Sequence, residues 1–524
     1  AINHGRREVV TRSVEGPIVR TTYSEINTRA KKVSNALLAE GIKLGDRVAT
    51  LAWNSGRHME VWYGAMGLGV VLHTLNPRLF PEQLVYIVNH AEDKIIFTDL
   101  TFLPILEALK DKLSPVTRYI VLTDKDHMPA CSLKGAIDYE TWIEGHSAEA
   151  KWGGFDENTA AGLCYTSGTT GNPKGVLYSH RSNVLHTLLT MQKDVMGLGA
   201  RDVILPVVPM FHANAWGVAL SAPAAGAKMV MPGAKMDGAS IYELLETESV
   251  TFSAAVPTVW MMLLQHLEST NSKLSTLKKV AIGGSAVPER IMRLFEEKYG
   301  VEVLHAWGMT ETSPLGTLGS LGPDADAMTH DEKIKTKLKQ GRPPFGVEIK
   351  ILRDGVEAPR DGETFGNLVV RGAAIAAAYF KGEGGNILDQ DGFFDTGDVA
   401  TIDSAGFMQI TDRAKDVIKS GGEWISSIDV ENAVGAPGVA VAAVIGKYHP
   451  KWDERPLLII ECAKGATATK EDILAYLDGK IAKWWMPDDV QFVEAIPLGA
   501  TGKINKLALR ETFANYDLPT AKAS

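Results

Sequence analysis

The stretch Tyr165-Thr166-Ser167-Gly168-Thr169-Thr170-Gly171-Asn172-Pro173-Lys174-Gly175 concentrates hydroxyls, glycines and a lysine in one short segment. Glycine has no Cβ, so successive backbone N–H groups can approach an anion. Thr166, Ser167, Thr169 and Thr170 add donors, and Lys174 adds a point charge. The combination is phosphate-binding chemistry. A Walker loop requires Gly, four intervening residues, then Gly-Lys-Ser/Thr. Counting from Gly168 puts Pro173 at the second glycine position, and counting from Gly171 puts Val176 there, so the spacing excludes it. The remaining alternative is a solvated Ser/Thr/Gly linker. The flanks argue against that. Ala161–Tyr165 reads as a short buried strand leading in, and Gly175–Tyr178 resumes an apolar run at once.

The elements that position this loop alternate between helical and strand periods, which predicts α/β architecture. Thr22 with Glu25 fits a capping box, Ile26, Ala30, Val33 and Leu37 follow at helical spacing, and Gly41 marks the stop. The pattern predicts a strand over Arg47–Trp53, a helix over Pro81–His90, a strand over Lys94–Thr98, a helix over Leu103–Lys112 and a strand over Tyr119–Thr123. Lys228–Met231, Val280–Ile282 and Val301–Leu304 read as further buried strands. After about residue 340 the rhythm changes to short, Gly-punctuated strands such as Gly366–Gly372, which predicts a β-rich subdomain. The charged segment Asp412-Arg413-Ala414-Lys415-Asp416 precedes a smaller α+β stretch and marks the expected interdomain boundary.

A chain of 524 residues is long enough for a large core plus a second module. Hydrophobic content of 45% and charged content of 22% are those of a globular protein. The net charge of −9 argues against nucleic acid or an anionic membrane surface as main partner. Cys131, Cys164 and Cys462 are far apart and form no CxxC pair, so neither a disulfide framework nor a structural zinc site is expected. The polar N-terminal segment and the lack of any apolar run of about 18 residues predict no membrane span and make a cytoplasmic location the default. The first residue is Ala rather than Met, which leaves room for native residues upstream, including a removed leader.

The loop is followed by Pro209-Met210-Phe211-His212-Ala213-Asn214-Ala215-Trp216, His305-Ala306-Trp307-Gly308-Met309-Thr310-Glu311, Phe394-Asp395-Thr396-Gly397-Asp398, Asp412–Asp416 and Thr501-Gly502-Lys503-Ile504. With these motifs in this order, nearly the whole chain resembles the adenylate-forming superfamily of acyl-CoA synthetases, luciferases and peptide-synthetase adenylation domains. The resemblance implies a large N-terminal domain over residues 1–412, made of two α/β subdomains and a β-rich one. It also implies a small mobile α+β domain over residues 413–524, with its hinge at Lys415.

The same resemblance implies site residues. Thr166, Ser167, Gly168, Thr169, Thr170, Gly171, Lys174 and Thr310 would hold the ATP phosphates, and Glu311, with Thr166, would bind Mg²⁺. Asp398 and Arg413 would reach the ribose; Gly283-Gly284-Ser285 would admit the adenine beside Trp307 and Gly308. Lys503 would bridge the substrate carboxylate and the α-phosphate. A turn residue or linker charge is the plainer alternative for Asp398, Arg413, Lys415 and Lys503, and a surface carboxylate for Glu311. His212 would lie near the phosphates and the acyl entrance, with a satisfied core histidine as its alternative. Together with Trp216, Gly283 and Trp307 it would line the acyl pocket.

Gly421 and Gly422 would face CoA after domain rotation and Lys419 would act catalytically, supplying positive charge near the thioester-forming site; Lys447, Lys451 and Arg455 are weaker candidates for the CoA phosphates, with ordinary surface cations as the alternative. The implied partners are ATP, CoA and a carboxylic acid, and the family makes a homodimer an expectation. The segments at 421–427 and 446–452 look like those of medium- and long-chain fatty acyl-CoA synthetases. Those at 11–17 and 76–83 resemble bacterial methylmercaptopropionate CoA ligases. A non-catalytic nucleotide-binding regulator that keeps the fold is the alternative from another class.

Overall fold

The computed structural model describes residues 1–166, 172–421, 423–498 and 504–522. Contacts divide the chain into two compact units. The first comprises Asn172–Glu348, Val370–Phe394 and the chain before the phosphate loop; the second comprises Ile349–Val369 and the chain from Asp395 onward. Residues 395–412 thus group with the C-terminal chain, and the expected boundary at 412/413 runs through the second unit.

Two α/β sheets build the first unit. The seven-stranded sheet runs Ile137–Asp138, Arg118–Val121, Ile95–Thr98, Arg47–Leu51, Val71–Thr74, Ala160–Tyr165, Gly175–Ser179. Every pairing in it is parallel except the last, where Tyr165 faces Gly175 across an antiparallel pair. The eight-stranded sheet runs Leu315–Leu318, Glu302–Gly308, Lys279–Ile282, Phe252–Ala255, Val203–Pro206, Lys228–Met231, Glu8–Arg12, Ile18–Thr22. Its centre is parallel and both edge pairs are antiparallel. Parallel strands covered on both faces must be apolar throughout. Val48, Ala49, Ile96 and Ile120 are fully buried, as are Val280, Ala281 and Ile282 in the other sheet.

The helix Tyr23–Ala39 starts where its sequence predicts: Thr22 accepts from the Glu25 N–H, and Ile26, Ala30, Val33 and Leu37 form its buried face. The other predicted strands and helices of this region are present within a residue or two, as hydrophobic period and capping require.

Most of a five-stranded sheet (Val356–Glu357, Val347–Arg353, Gly366–Gly372, Phe394–Ile402, Met408–Arg413) falls in the second unit. The rest of that unit centres on the long antiparallel pair Val439–His449 and Asp453–Cys462, whose core includes Ile418, Val444, Leu458 and Leu477. Among the described residues no helix is long and apolar enough to cross a membrane.

Between the sheets of the first unit lies a buried polar joint. Asn54 donates to Pro206 O at 2.8 Å and Val208 O at 2.9 Å, and accepts from Met210 N at 2.7 Å. Its turn is fixed by Asp99, which accepts from Trp53 N at 2.6 Å. Burial pushes the Asp99 carboxyl up to about 7, whereas an unfolded Asp titrates near about 3.9. A raised native value means that the folded chain holds this proton more tightly. The stabilisation is therefore complete below the unfolded value and is lost as pH rises through the folded one. We expect Asp99→Asn to flatten the fall in thermal midpoint between pH 5 and 8, measured by circular dichroism; an unchanged slope would show that Asp99 stays ionised when folded.

Candidate functional site

Open α/β sheets bind ligands beyond the carboxyl ends of their parallel strands, and the motifs at 165–175, 209–216 and 305–311 follow such strands or overlap their ends in the first unit. Within the eight-stranded sheet, Lys279–Ile282 runs into Gly283-Gly284-Ser285, Glu302–Gly308 into Met309-Thr310-Glu311, and Val203–Pro206 into the turn ending at His212. Tyr178, from the seven-stranded sheet, donates to Thr310 O at 2.7 Å and ties the two sheets together at this edge.

The phosphate loop is clasped at its ends. Thr166 N donates to Lys174 O at 2.9 Å, and Lys174 N donates to Thr166 Oγ1 at 3.1 Å. Ser167, Gly168, Thr169, Thr170 and Gly171 lie outside the described residues. Lys174 is exposed, with its Nζ 4.8 Å from the centroid of the Tyr379 ring. Glu311 is only 4% exposed, so it is no surface carboxylate. It accepts from the Tyr379 hydroxyl at 2.6 Å. Burial, reinforced by this carboxylate, raises the Tyr379 phenol and keeps it a hydrogen-bond donor. Tyr379 was not singled out in the sequence; it lies in an alanine-rich stretch, and its contacts at this site, with Lys174, Val176 and Glu311, are with residues far away in the sequence. Asn54 was missed for the same reason, since its partners are more than 150 residues away.

The turn after His212 is strained. Ala213, Asn214, Ala215 and Trp216 have φ of 43°, 59°, 52° and 54°. Left-handed backbone costs a non-glycine residue about 1–2 kcal/mol, and such strain persists only where surrounding packing overrides it. His212 itself is exposed, which removes the core-histidine alternative. The strained turn buries Trp216 and brings Cη2 of its indole to 3.4 Å from the place a Cβ on Gly283 would occupy. Trp307, also buried, lies over Gly316, where a Cβ would come within 2.2 Å of the ring. Gly283 is buried, whereas Gly284, Ser285 and Gly308 are exposed.

In the second unit, Asp398 and Arg413 face each other across antiparallel strands and form an ion pair, Arg413 Nε to Asp398 Oδ1 at 3.0 Å. Asp398 is buried and Arg413 half exposed, so the pair presents an anchored carboxylate with a fixed cation. Lys415 is exposed on a turn whose flanks are fastened. Asp412 accepts from the Ser427 N–H and hydroxyl, and Asp416 pairs with Arg510 at 2.6 Å.

Lys419 is exposed near the Trp424 ring, and Gly421 N donates to Trp452 O at 2.7 Å. Of the cations considered for the CoA phosphates, Lys447 donates to Phe513 O and Ala514 O. Arg455 is spent on Asp488, Trp484 O and Met486 O. Lys451 is exposed above Trp452. Gly422 and Lys503 lie outside the described residues.

In the first unit this arrangement offers donors and a cation for phosphate oxygens and a buried carboxylate for a hard cation. Among the described residues no cluster of three or more His, Cys, Asp or Glu side chains is placed to hold a metal. A lone carboxylate such as Glu311 suits Mg²⁺ that arrives with nucleotide phosphates as its other ligands, the usual mode for that ion.

Two family models match: AMP-binding enzyme over residues 1–380, and AMP-binding enzyme C-terminal domain over residues 429–503. The 3-methylmercaptopropionyl-CoA ligase of Ruegeria lacuscaerulensis is 49% identical over 512 residues, covering 97% of this chain and 95% of its own. The medium-chain-fatty-acid–CoA ligase of Ectopseudomonas oleovorans is 48% identical over 522 residues, covering 99% and 95%. Among solved structures, ATP-bound MatB from Rhodopseudomonas palustris superposes with a TM-score of 0.80 at 26% identity, covering 98% of this chain and 97% of its own. With family models matching residues 1–380 and 429–503, the chain belongs to the AMP-binding enzyme family.

Proposed function

We propose that this protein is an AMP-forming acid–thiol ligase that converts 3-methylmercaptopropionate, ATP and CoA into the acyl-CoA, AMP and pyrophosphate. The observation that carries the reaction class is the grouping of Lys174, Tyr379 and the buried Glu311 beside the clasped phosphate loop. The choice of acid is supported by the two Ruegeria 3-methylmercaptopropionyl-CoA ligases, each 49% identical over 97% of this chain. A medium- to long-chain fatty acid is the second reading, favoured by the relatives at 48% and 44% identity. Bulky indoles at Trp216 and Trp307 would close the acyl pocket to long chains, although a tryptophan at the position of Trp216 also suits a gate to a longer tunnel.

A carboxylic acid is already ionised at neutral pH, with a reference value near about 4, so no base is needed to generate the nucleophile. The difficulty is bringing one anion to another. In the first half-reaction a carboxylate oxygen attacks the α-phosphorus and the bond to the β-phosphate bridging oxygen breaks, releasing pyrophosphate. Fixed cations at the phosphoryl oxygens lower that barrier most. Lys174 and the loop donors hold the leaving pyrophosphate, Asp398 and Arg413 hold the ribose, and Lys503 spans the carboxylate and the α-phosphate. Glu311 with Thr166 would hold Mg²⁺, which would supply positive charge against the phosphate oxygens. His212 stands at the acyl entrance. In the second half-reaction the CoA sulfur attacks the acyl carbonyl and AMP leaves. A backbone change at Lys415 withdraws Lys503 and presents Lys419, Gly421 and Gly422.

Pyrophosphate release by the purified protein with ATP, Mg²⁺ and CoA, across acids from acetate to palmitate with 3-methylmercaptopropionate included, decides among the readings. We expect the thioether acid to give the highest kcat/KM. A maximum at octanoate or longer would favour the fatty-acid ligase, and no release with any acid would leave a nucleotide-binding regulator.

Lys503→Ala is expected to slow adenylation at least about 100-fold, the scale of losing one preorganised charge at a transition state, while sparing thioester formation from supplied acyl adenylate. Equal loss in both steps would end this division of labour. Asp398→Ala is expected to raise KM for ATP about 10- to 100-fold, since a charge-assisted hydrogen bond is worth about 1.5–3 kcal/mol; an unchanged KM would remove Asp398 from the ribose site.

A further inference from the structure

One segment of the first unit braces the phosphate-facing groups from behind. Tyr379 forms an isolated antiparallel bridge with Val176, just past the loop, and Ala376 N donates to Glu311 O at 2.8 Å. The segment is anchored further on. The Phe380 ring meets His90 edge-on at 5.5 Å, Lys381 pairs with Glu92 at 2.6 Å, and Glu383 accepts from Tyr86 at 3.0 Å. Its backbone is thus held against both the helix Pro81–Ala91 and the strand Gly175–Ser179. From this base the Tyr379 side chain reaches two opposite charges at once, its ring face toward Lys174 and its hydroxyl on Glu311.

A neutral side chain between a cation and a carboxylate has a specific electrostatic effect. A lysine and a buried carboxylate that meet directly form an ion pair, and each then costs part of its charge to any incoming ligand. A phenol offers the carboxylate a hydrogen bond and the ammonium a π face without bringing either a full opposite charge.

We propose that Tyr379 is a positioning residue for the adenylation step: its hydroxyl fixes the Glu311 carboxylate for the metal–nucleotide complex, and its ring holds Lys174 apart as a separate phosphate ligand. This rests on the ligase reading above. The hydroxyl serves the metal-dependent part of nucleotide binding and the ring serves the metal-independent part. The two parts are therefore separable by substitution.

The test is calorimetric titration of ATP onto the intact chain without acid or CoA, so that no turnover occurs, once in EDTA and once in excess Mg²⁺. Tyr379→Phe keeps the ring and loses the hydroxyl; it is expected to weaken binding in Mg²⁺ at least fivefold while leaving the Kd in EDTA within twofold of wild type. Tyr379→Leu is expected to weaken both. In a Glu311→Gln background, Tyr379→Phe is expected to add nothing in Mg²⁺, because the hydroxyl acts through that carboxylate.

Equal weakening with and without Mg²⁺, or none, would overturn the proposal, as would full additivity with Glu311→Gln. Should Tyr379→Phe lower the thermal midpoint by several degrees, Tyr379→His decides, since it retains a ring and a donor: restored Mg²⁺ dependence supports the proposal and continued loss overturns it. A wild-type chain that releases pyrophosphate while Tyr379→Phe binds normally defeats only the role of Tyr379. A wild type that releases none with any acid defeats the ligase reading itself.

Discussion

A loop rich in glycine and small hydroxyl residues has no internal reason to hold one shape, because ordering each backbone unit costs about 1–2 kcal/mol. Its ends decide whether it can present donors to a phosphate. Here the antiparallel pair of strands keeps its register from Gly162 opposite Tyr178 to Tyr165 opposite Gly175, and Thr166 and Lys174 add a reciprocal pair of hydrogen bonds beyond it. That closure carries the loop entropy once, for all the donors between the ends. It also fixes where Lys174 starts, and hence what its side chain can reach. The neighbouring strand bridges to the Tyr379 segment through Val176, so Lys174 and Glu311 both meet Tyr379.

The eight-stranded sheet supplies the remaining groups by a simpler rule. Its central strands are parallel, so loops carrying Gly283, Thr310 and His212 leave at the same edge without needing to be near one another in sequence. Strain enters only where a side chain must point against the local preference. The left-handed run Ala213–Trp216 is the clearest instance, and its product is a buried indole beside Gly283. The buried amide of Asn54 opposes that strain by tying the start of the same turn, through Pro206, Val208 and Met210, to the other sheet.

Much of this was legible in the sequence, and the pattern of success has a physical reason. The strands that flank residues 165–175 and the capped first helix depend on local periodicity and capping, which a single chain displays directly. Tyr379, Asn54 and Asp99 depend on contacts between distant segments, and nothing in their immediate neighbours marks them. Lys447 and Arg455 illustrate the converse. Their charge suggested phosphate binding, yet the fold uses Lys447 on the carbonyls of Phe513 and Ala514, and Arg455 on those of Trp484 and Met486 and on Asp488. A cation's availability is a property of its neighbours, and those are not readable from its type.

The same reasoning sets how sharply the acyl site can choose its acid. 3-Methylmercaptopropionate is pentanoate with one methylene replaced by sulfur, so shape alone separates the two poorly. A sulfur near an aromatic ring gains about 0.3–1.5 kcal/mol, which corresponds to at most about a tenfold preference over the alkanoate of equal length. Each further methylene that a closed pocket cannot admit costs more, about 1–3 kcal/mol on the scale at which enzymes tell homologues apart. Rejection of long chains therefore has to come from steric closure, and the bulky buried side chains beside Gly283 and Gly316 are those of Trp216 and Trp307. In the proposed acyl pocket, with Trp216 as one wall, selectivity by length is then a matter of how firmly the strained turn holds that indole. Selectivity for sulfur over carbon stays modest in any pocket built from indoles.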